Sequence, residues 1–301
     1  DLWFRIYTQK SIDLKAAIIT GSSSGVGKEL TKLLLDEGWF VYGISRSNKI
    51  THDLFIHNAV DFSDIKNIEN YEIPKICCDE ILLVNCAATL GNIVPFEKKE
   101  NYNLLVEINC NLISPIILFN KFIKKFNNVK KTIFSISSGA AAKPVHSWST
   151  YCASKSGLEL FSQVLKNETL NSNLRIFSIH PGIVDTPMQK HIRKTSKKNF
   201  PLVDKFIEYH QNKELVSARL IAEKLYYLYK NQQNFDETVI YLRNLKIWDL
   251  NPWKNRKKFF NHLIYNYLCK KRVFNNIMCK KTNKIRLKKN EKTVTRSFLI
   301  T

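Results

Sequence analysis

The stretch "AAIITGSSSGVGKELTKLLLDEG", residues 16–38, decides the fold. Its opening, 16–20, is a short, partly β-branched apolar run ended by a Ser/Gly cluster, which predicts a buried strand followed by a tight turn. "KELTKLLLDEG" (28–38) repeats apolar residues at helical spacing and stops at a glycine, which predicts a helix. The turn between them carries Gly21, Gly25 and Gly27. Where a strand feeds a helix through such a loop, side chains there would collide with a pyrophosphate. The helix N-terminus meanwhile offers free N–H groups and the positive end of its dipole. Glycines in a turn are common. The strand–loop–helix context is what makes this one a candidate dinucleotide cradle.

Working outward, strands are expected at 40–45, 55–64, 80–88, 131–139, 174–182 and 238–242, and helices at 102–126, 151–170 and 217–231. Strands alternating with helices over about 15–244 predict an α/β fold, with a mainly parallel sheet covered on both faces. No internal repeat or Pro/Gly-rich linker divides this body. The expected organisation is a lead-in at 1–13, one domain at 14–244 and a basic extension at 245–301.

The second strand ends "GISRSN". An acid about 20 residues after a phosphate loop pairs with the ribose 2′-OH of NAD. Here Ser45 and Arg46 stand at that place, and a guanidinium suits a 2′-phosphate instead. NADP(H) is therefore expected over NAD(H), the alternative being an ordinary exposed arginine.

The net charge is +21, and residues 245–301 carry sixteen Lys/Arg against Asp249 and Glu291, so +14 of it lies in the extension. "KKFFNHLIYNYLCKK" (257–271) reads as a helix with one apolar face; beyond about 280 the composition is that of a disordered tail. Contact of this tail with nucleic acid or an anionic membrane is one reading, and a solvated, composition-driven extension is another. The seven cysteines form no C-x-x-C pair and no His cluster accompanies them, so reduced thiols and no metal site are expected. With 44% hydrophobic residues the chain is long enough to bury a core. It has no uninterrupted apolar run of membrane-spanning length and no signal-peptide pattern at its start, and a soluble cytoplasmic protein is expected. Because the sequence opens on Asp1 and not Met, its natural start is expected to lie upstream.

A tyrosine four residues before a lysine occurs five times: Tyr71/Lys75, Tyr151/Lys155, Tyr209/Lys213, Tyr226/Lys230 and Tyr267/Lys271. Spacing alone selects none of them. Ligands in an open α/β sheet lie at the carboxyl ends of the strands. Only Tyr151 opens a helix and has, thirteen residues upstream, a serine at a strand end, Ser138. Positions i and i+4 share a helix face, so Tyr151 and Lys155 can address one ligand. Ser196 has the same offset from Tyr209, but "RKTSKKN" is not a strand.

On Thr20-Gly21-x-x-x-Gly25-x-Gly27, Asp61, Asn85-x-Ala87, Asn111, Ser138, Tyr151-x-x-x-Lys155 and Pro181-Gly182-x-x-x-Thr186, the chain resembles the short-chain dehydrogenase/reductase family. The resemblance runs over about 14–244. Trp148, the "HPGIVDTPMQ" run with Met188, and "FPLVDKF" (200–206) resemble its sepiapterin reductase and benzil reductase branch. It implies a Rossmann-type doubly wound domain. It also implies cofactor contacts from Gly21, Ser23, Ser24, Gly25, Val26, Gly27, Ser45, Arg46, Asp61 (adenine), Asn85, Ala87, Lys155, Pro181, Gly182, Val184 and Thr186 (carboxamide). Substrate contacts would come from Trp148 and Met188. The implied reaction is hydride transfer to a carbonyl: Tyr151 is the acid, Lys155 beside it lowers the phenol's pKa, Ser138 orients the carbonyl, and Asn111, or in its place Asn109, holds a water that relays protons to Lys155. A homodimer through helices near 102–126 and 151–170 is also implied. The sequence departs from the family at Cys86 and Ala88, in a segment where the pattern is Asn-Asn-Ala-Gly, and the extension has no counterpart. The rival to an enzyme is a protein that keeps the cofactor fold without its chemistry.

Overall fold

The strands are near-continuous apolar runs because both of their faces are covered. In the computed structural model, which describes residues 14–169 and 173–245, seven parallel strands make one sheet in the order β3-β2-β1-β4-β5-β6-β9. They are β1 (Lys15–Thr20), β2 (Phe40–Ser45), β3 (Phe55–Ala59), β4 (Glu80–Asn85), β5 (Lys130–Ile136), β6 (Leu174–His180) and β9 (Val239–Tyr241). Ala16 and Ile18 pack with Ile81, Leu83 and Ile133 against Leu118, Phe119 and Phe122 of α4 (Ser114–Lys125) and Leu158 of α5 (Ser149–Glu168). Ala17 and Ile19 are equally buried on the opposite face. Away from that first cluster, α1 (Gly25–Asp36) packs on α8 (Ala218–Lys230), with Trp39 edge-on to Tyr229 at 4.9 Å. The sheet is doubly wound, as the alternation predicts. Its order reverses between β1 and β4, which fixes where a ligand crevice lies.

The expected strands at 80–88, 131–139 and 174–182 end two or three residues early, at Asn85, Ile136 and His180, and three regions differ more. The strand expected at 55–64 ends at Ala59. Beyond it the Asp61 carboxylate accepts from Ser63 N–H at 3.0 Å, and Asp64 caps α2 (Ile65–Asn70) by accepting from Lys66 N–H. These side-chain bonds turn the chain out of the sheet. The helix expected at 102–126 is α3 (Asn101–Ile108), a π turn (Asn109–Ile113) and α4. Pro115 has no N–H to give to the carbonyl four residues back, so the helical ladder opens at that point. By length and composition 101–125 could also cross a membrane, but here its apolar face fills the core. Between 184 and 217, where no element is expected, lie β7 (Val184–Asp185), α6 (Pro187–Arg193), α7 (Val203–Gln211) and β8 (Val216–Ser217); β7 and β8 pair as a small parallel sheet. The lead-in at 1–13, most of the extension with its expected helix at 257–271, and residues 170–172 lie outside the described residues.

Candidate active site

The glycine loop has little room. Gly21 and Gly25 take φ of +68° and +53°, and a Cβ on Gly21 would meet the Ala87 nitrogen at 3.0 Å. A Cβ on Gly27 would meet the Gly21 carbonyl oxygen at 2.5 Å. Thr20 staples the loop to the end of β4: its hydroxyl donates to Asn85 Oδ1 at 3.1 Å and accepts from Ala87 N–H at 3.0 Å. Asn85 Nδ2 is buried without a partner. Cys86, the departure from the family pattern, is a half-buried thiol whose pKa is pushed up to about 12 by desolvation, so it stays neutral. Ser24 makes no side-chain bond to the first turn of α1, which leaves those amides pointing out of the helix beside Ser23 and Val26. A strained glycine turn, open helix amides and an orphaned asparagine amide fit a dinucleotide.

At the end of β2, Ser45 donates to Ser47 O at 2.8 Å and lies against Ser22 Oγ and His57 Nε2 at 3.2 and 3.1 Å. Arg46 beside it is exposed. Burial pushes the Asp61 pKa up, but the two bonds from Ser63 and the Arg46 charge outweigh it and hold the carboxyl below its ordinary range. Arg46 and Asp61 therefore face the same ground. His57 was not foreseen; its ring also contacts Ser45 O at 3.0 Å and braces this corner.

Across the crevice, the Tyr151 pair is built by helix geometry. Tyr151 and Lys155 lie on one face of α5 and are 5% and 2% exposed. Lys155 Nζ donates to Ile136 O at 2.8 Å and stands 5.8 Å from the centre of the Tyr151 ring. Ser138 accepts from Ala140 N–H at 3.2 Å, and its hydroxyl lies near enough to Tyr151 to favour the phenolate. Burial opposes the expected lowering of the tyrosine pKa: it raises Tyr151 to about 12, with Ser138 acting the other way, and it lowers Lys155 to about 8. The phenol is therefore protonated at neutral pH.

Asn111 lies in the π turn, where its Oδ1 accepts from Thr89 N–H and its Nδ2 donates to Thr89 O, both at 2.8 Å, so its side chain clamps the loop after β4. Asn109 Nδ2 donates to Ser63 O at 3.3 Å, towards the Asp61 corner.

The loop after β6 carries Pro181 and Gly182, the latter at φ +85°. It leads through Val184 to Thr186, whose Cγ2 would be 3.2 Å from a Cβ on Gly25. The two cofactor motifs, 160 residues apart, are thus in contact across the crevice. Thr186 precedes α6, and Met188 packs onto an apolar cluster of Leu90, Ile93, Trp148, Tyr151, Ile192, Phe200 and Val203. Trp148 stacks on Phe200 at 5.6 Å and 11°, meets Phe206 at 5.6 Å, and stands edge-on to Tyr151 at 5.7 Å. Ser147, at φ +64°, donates to Asn199 O at 2.6 Å and aims the indole. His191 Nε2 lies 3.1 Å from Gly91 O and ties α6 to the opposite rim. Phe200 and Phe206 lie in the "FPLVDKF" run; Leu90, Ile93 and Ile192 were not foreseen.

The chain matches the family model "short chain dehydrogenase" over residues 15–197. It is 32% identical over 238 residues to a Bacillus cereus "Benzil reductase ((S)-benzoin forming)", covering 73% of this chain and 96% of that protein. It is 29% identical to the Rattus norvegicus "Sepiapterin reductase", covering 69% and 88%. Among solved structures, a "4-hydroxyisoleucine dehydrogenase complexed with NADH" superposes with a TM-score of 0.65 at 22% identity, covering 75% and 96%. The crevice, the glycine loop and these matches have one reading: the chain belongs to the short-chain dehydrogenase family, as an NAD(P)-dependent oxidoreductase acting on CH–OH and C=O groups, of the benzil reductase and sepiapterin reductase branch.

Proposed function

We propose that this chain is an NADPH-dependent carbonyl reductase for ketones or 1,2-dicarbonyls of the benzil or sepiapterin kind, with Tyr151 as proton donor. The observation that carries this reading is the buried Tyr151 with Lys155 Nζ 5.8 Å from its ring centre on the same helix face and Trp148 edge-on to it at 5.7 Å. A bound nicotinamide cofactor supplies the hydride.

The chain's own residues do the rest. Gly21, Gly25, Gly27 and the first amides of α1 hold the pyrophosphate, with Ser23, Ser24 and Val26 lining it. Asp61 meets the adenine, and Asn85, Ala87, Pro181, Gly182, Val184 and Thr186 enclose the nicotinamide end. Arg46, with no acid at 45, pairs with the 2′-phosphate and sets the preference for NADPH. Trp148, Phe200 and Met188 exclude water and seat an apolar substrate. Ser138 bonds the carbonyl oxygen. As negative charge develops there, the Tyr151 hydroxyl gives its proton. Lys155 stabilises the phenolate left behind, and its own pKa near 8 makes it a ready source for the replacement proton. Asn111 holds Thr89 through its side chain and keeps the place from which a relay water to Lys155 is expected.

A homodimer is part of the proposal: Tyr102 and Leu105 on α3 and Leu160 and Val164 on α5 are large apolar side chains left exposed on the helices in question. So is a cytoplasmic location. The test follows NADPH consumption with benzil and a panel of ketones. Turnover is expected with an aromatic 1,2-diketone, and Tyr151→Phe is expected to lose roughly 10³-fold in kcat while keeping cofactor affinity. A Tyr151→Phe protein with full turnover refutes the mechanism.

A further inference from the structure

Helix α5 does not stop at two useful residues. Tyr151, Lys155 and Glu159 follow one another at i, i+4 and i+8 on one face, and each reaches one of three successive residues at the end of β5. Tyr151 lies beside Ser138, Lys155 Nζ donates to Ile136 O, and Glu159 Oε2 accepts from Ser137 Oγ at 3.0 Å. The same carboxylate oxygen accepts from Ser178 Oγ at 3.1 Å and meets His180 Nε2 at 2.5 Å, both on β6. Ser137 N–H donates to Ile179 O at 2.8 Å, so the two strand ends are also joined directly. His180 is 3% exposed, lies face to face with Tyr241 of β9 at 4.5 Å, and precedes Pro181 and Gly182.

A carboxylate with three donors on one oxygen is more than a surface charge. It fixes the helix that carries the acid and the cation to the two strands that carry the carbonyl-binding serine and the nicotinamide loop. An error of about 1 Å in such an arrangement can cost roughly 10²-fold in rate.

We propose that Glu159 is a positioning residue for the carbonyl reduction, holding Ser138 in register with Tyr151 and Lys155 through Ser137, and the Pro181–Gly182 loop through His180. The proposal rests on the reading of Tyr151, Lys155 and Ser138 given above. Gln at 159 keeps the shape but turns one carboxylate oxygen into a donor and removes the charge that holds three donors at once.

The experiment measures kcat, KM and NADPH affinity, the last by quenching of protein fluorescence, for wild type, Glu159→Gln, Ser137→Ala and Tyr151→Phe. Glu159→Gln is expected to lower kcat at least about tenfold while the NADPH Kd stays within about threefold, because the phosphate cradle is built on β1 and α1. Ser137→Ala, which removes one bond and no charge, is expected to lower kcat by about fivefold with the same split, and decides alone should Glu159→Gln not fold. Turnover within about twofold of wild type, or a fall in kcat matched by an equal loss of cofactor affinity, overturns the proposal. A fully active Tyr151→Phe would instead sink the reading it rests on, while an inactive Tyr151→Phe beside an undisturbed Glu159→Gln removes only Glu159.

Discussion

Asn111 and Thr89 exchange two hydrogen bonds, side-chain amide to main-chain amide, across a span of 22 residues. The contact joins the π turn to the loop that runs from β4 past the crevice. Asn111→Ala strands a buried N–H and a buried C=O at once, and each unmet group costs about 1–3 kcal/mol. A loss of roughly 3 kcal/mol in unfolding free energy is expected by urea denaturation. Asn111→Asp can accept but not donate, so it should recover part of that loss and no more.

Lys155 sets a stability that depends on pH. Its folded pKa of about 8 lies below the ordinary 10.5, so between those values the unfolded chain holds a proton that the folded chain does not. Stability therefore rises with pH across that window, and at neutral pH the whole cost of burying the cation is present. Lys155→Met should be more stable than wild type at neutral pH by about 2 kcal/mol, allowing for the lost bond to Ile136 O. The advantage should shrink from about pH 8 upwards, vanish before 10.5, and turn into a small deficit there, because the lost bond to Ile136 O remains. Thermal unfolding without added cofactor over that range checks it, and an advantage that persists at high pH contradicts the assignment.

Arg46 offers a guanidinium at the end of β2 with no carboxylate at 45. A charge-assisted bond to a phosphate contributes about 1.5–3 kcal/mol. Arg46→Ala should weaken NADPH about tenfold or more and leave NADH within about twofold. Equal weakening of both would mean that Arg46 acts on the fold of the corner and not on the 2′-phosphate.

Trp148 belongs to the apolar cluster packed on Tyr151, which the proposed function makes the substrate side of the site. Trp148→Leu keeps an apolar group but loses the aromatic surface, worth about 1 kcal/mol for each ring partner. KM for aromatic diketones should rise about fivefold, while a small aliphatic diketone changes little. Kinetics on the two substrates in parallel decide it.

How far the sequence discloses the molecule depends on the range over which each feature acts. The glycine loop and the Tyr151–Lys155 pair are legible because their geometry is set within a few residues, by turn sterics and helix period. The break in the long helix is not, since apolar spacing runs unchanged through Asn109–Ile113 and only Pro115 hints at it. The two-residue strands β7 and β8 leave no periodicity to find, and their pairing of Val184 with Val216 is a tertiary event. The contact of Gly25 with Thr186 and the stacking of Trp148 on Phe200 also join residues that the sequence keeps far apart. The raised pKa of Tyr151 is illegible for a related reason: a neighbouring lysine is visible in a sequence, but the depth at which both are buried is not.

Ser147 sits in the left-handed region, where a side chain costs about 1 kcal/mol or more, and its bond to Asn199 holds it there. Its backbone turn sets the direction in which Trp148 enters the apolar cluster. Under the proposed function that residue is a dial outside the chemistry: changing it would swing one aromatic face while Tyr151, Lys155 and the glycine loop stay in place. On that reading, substrate range is free to drift on a different clock from the reaction itself.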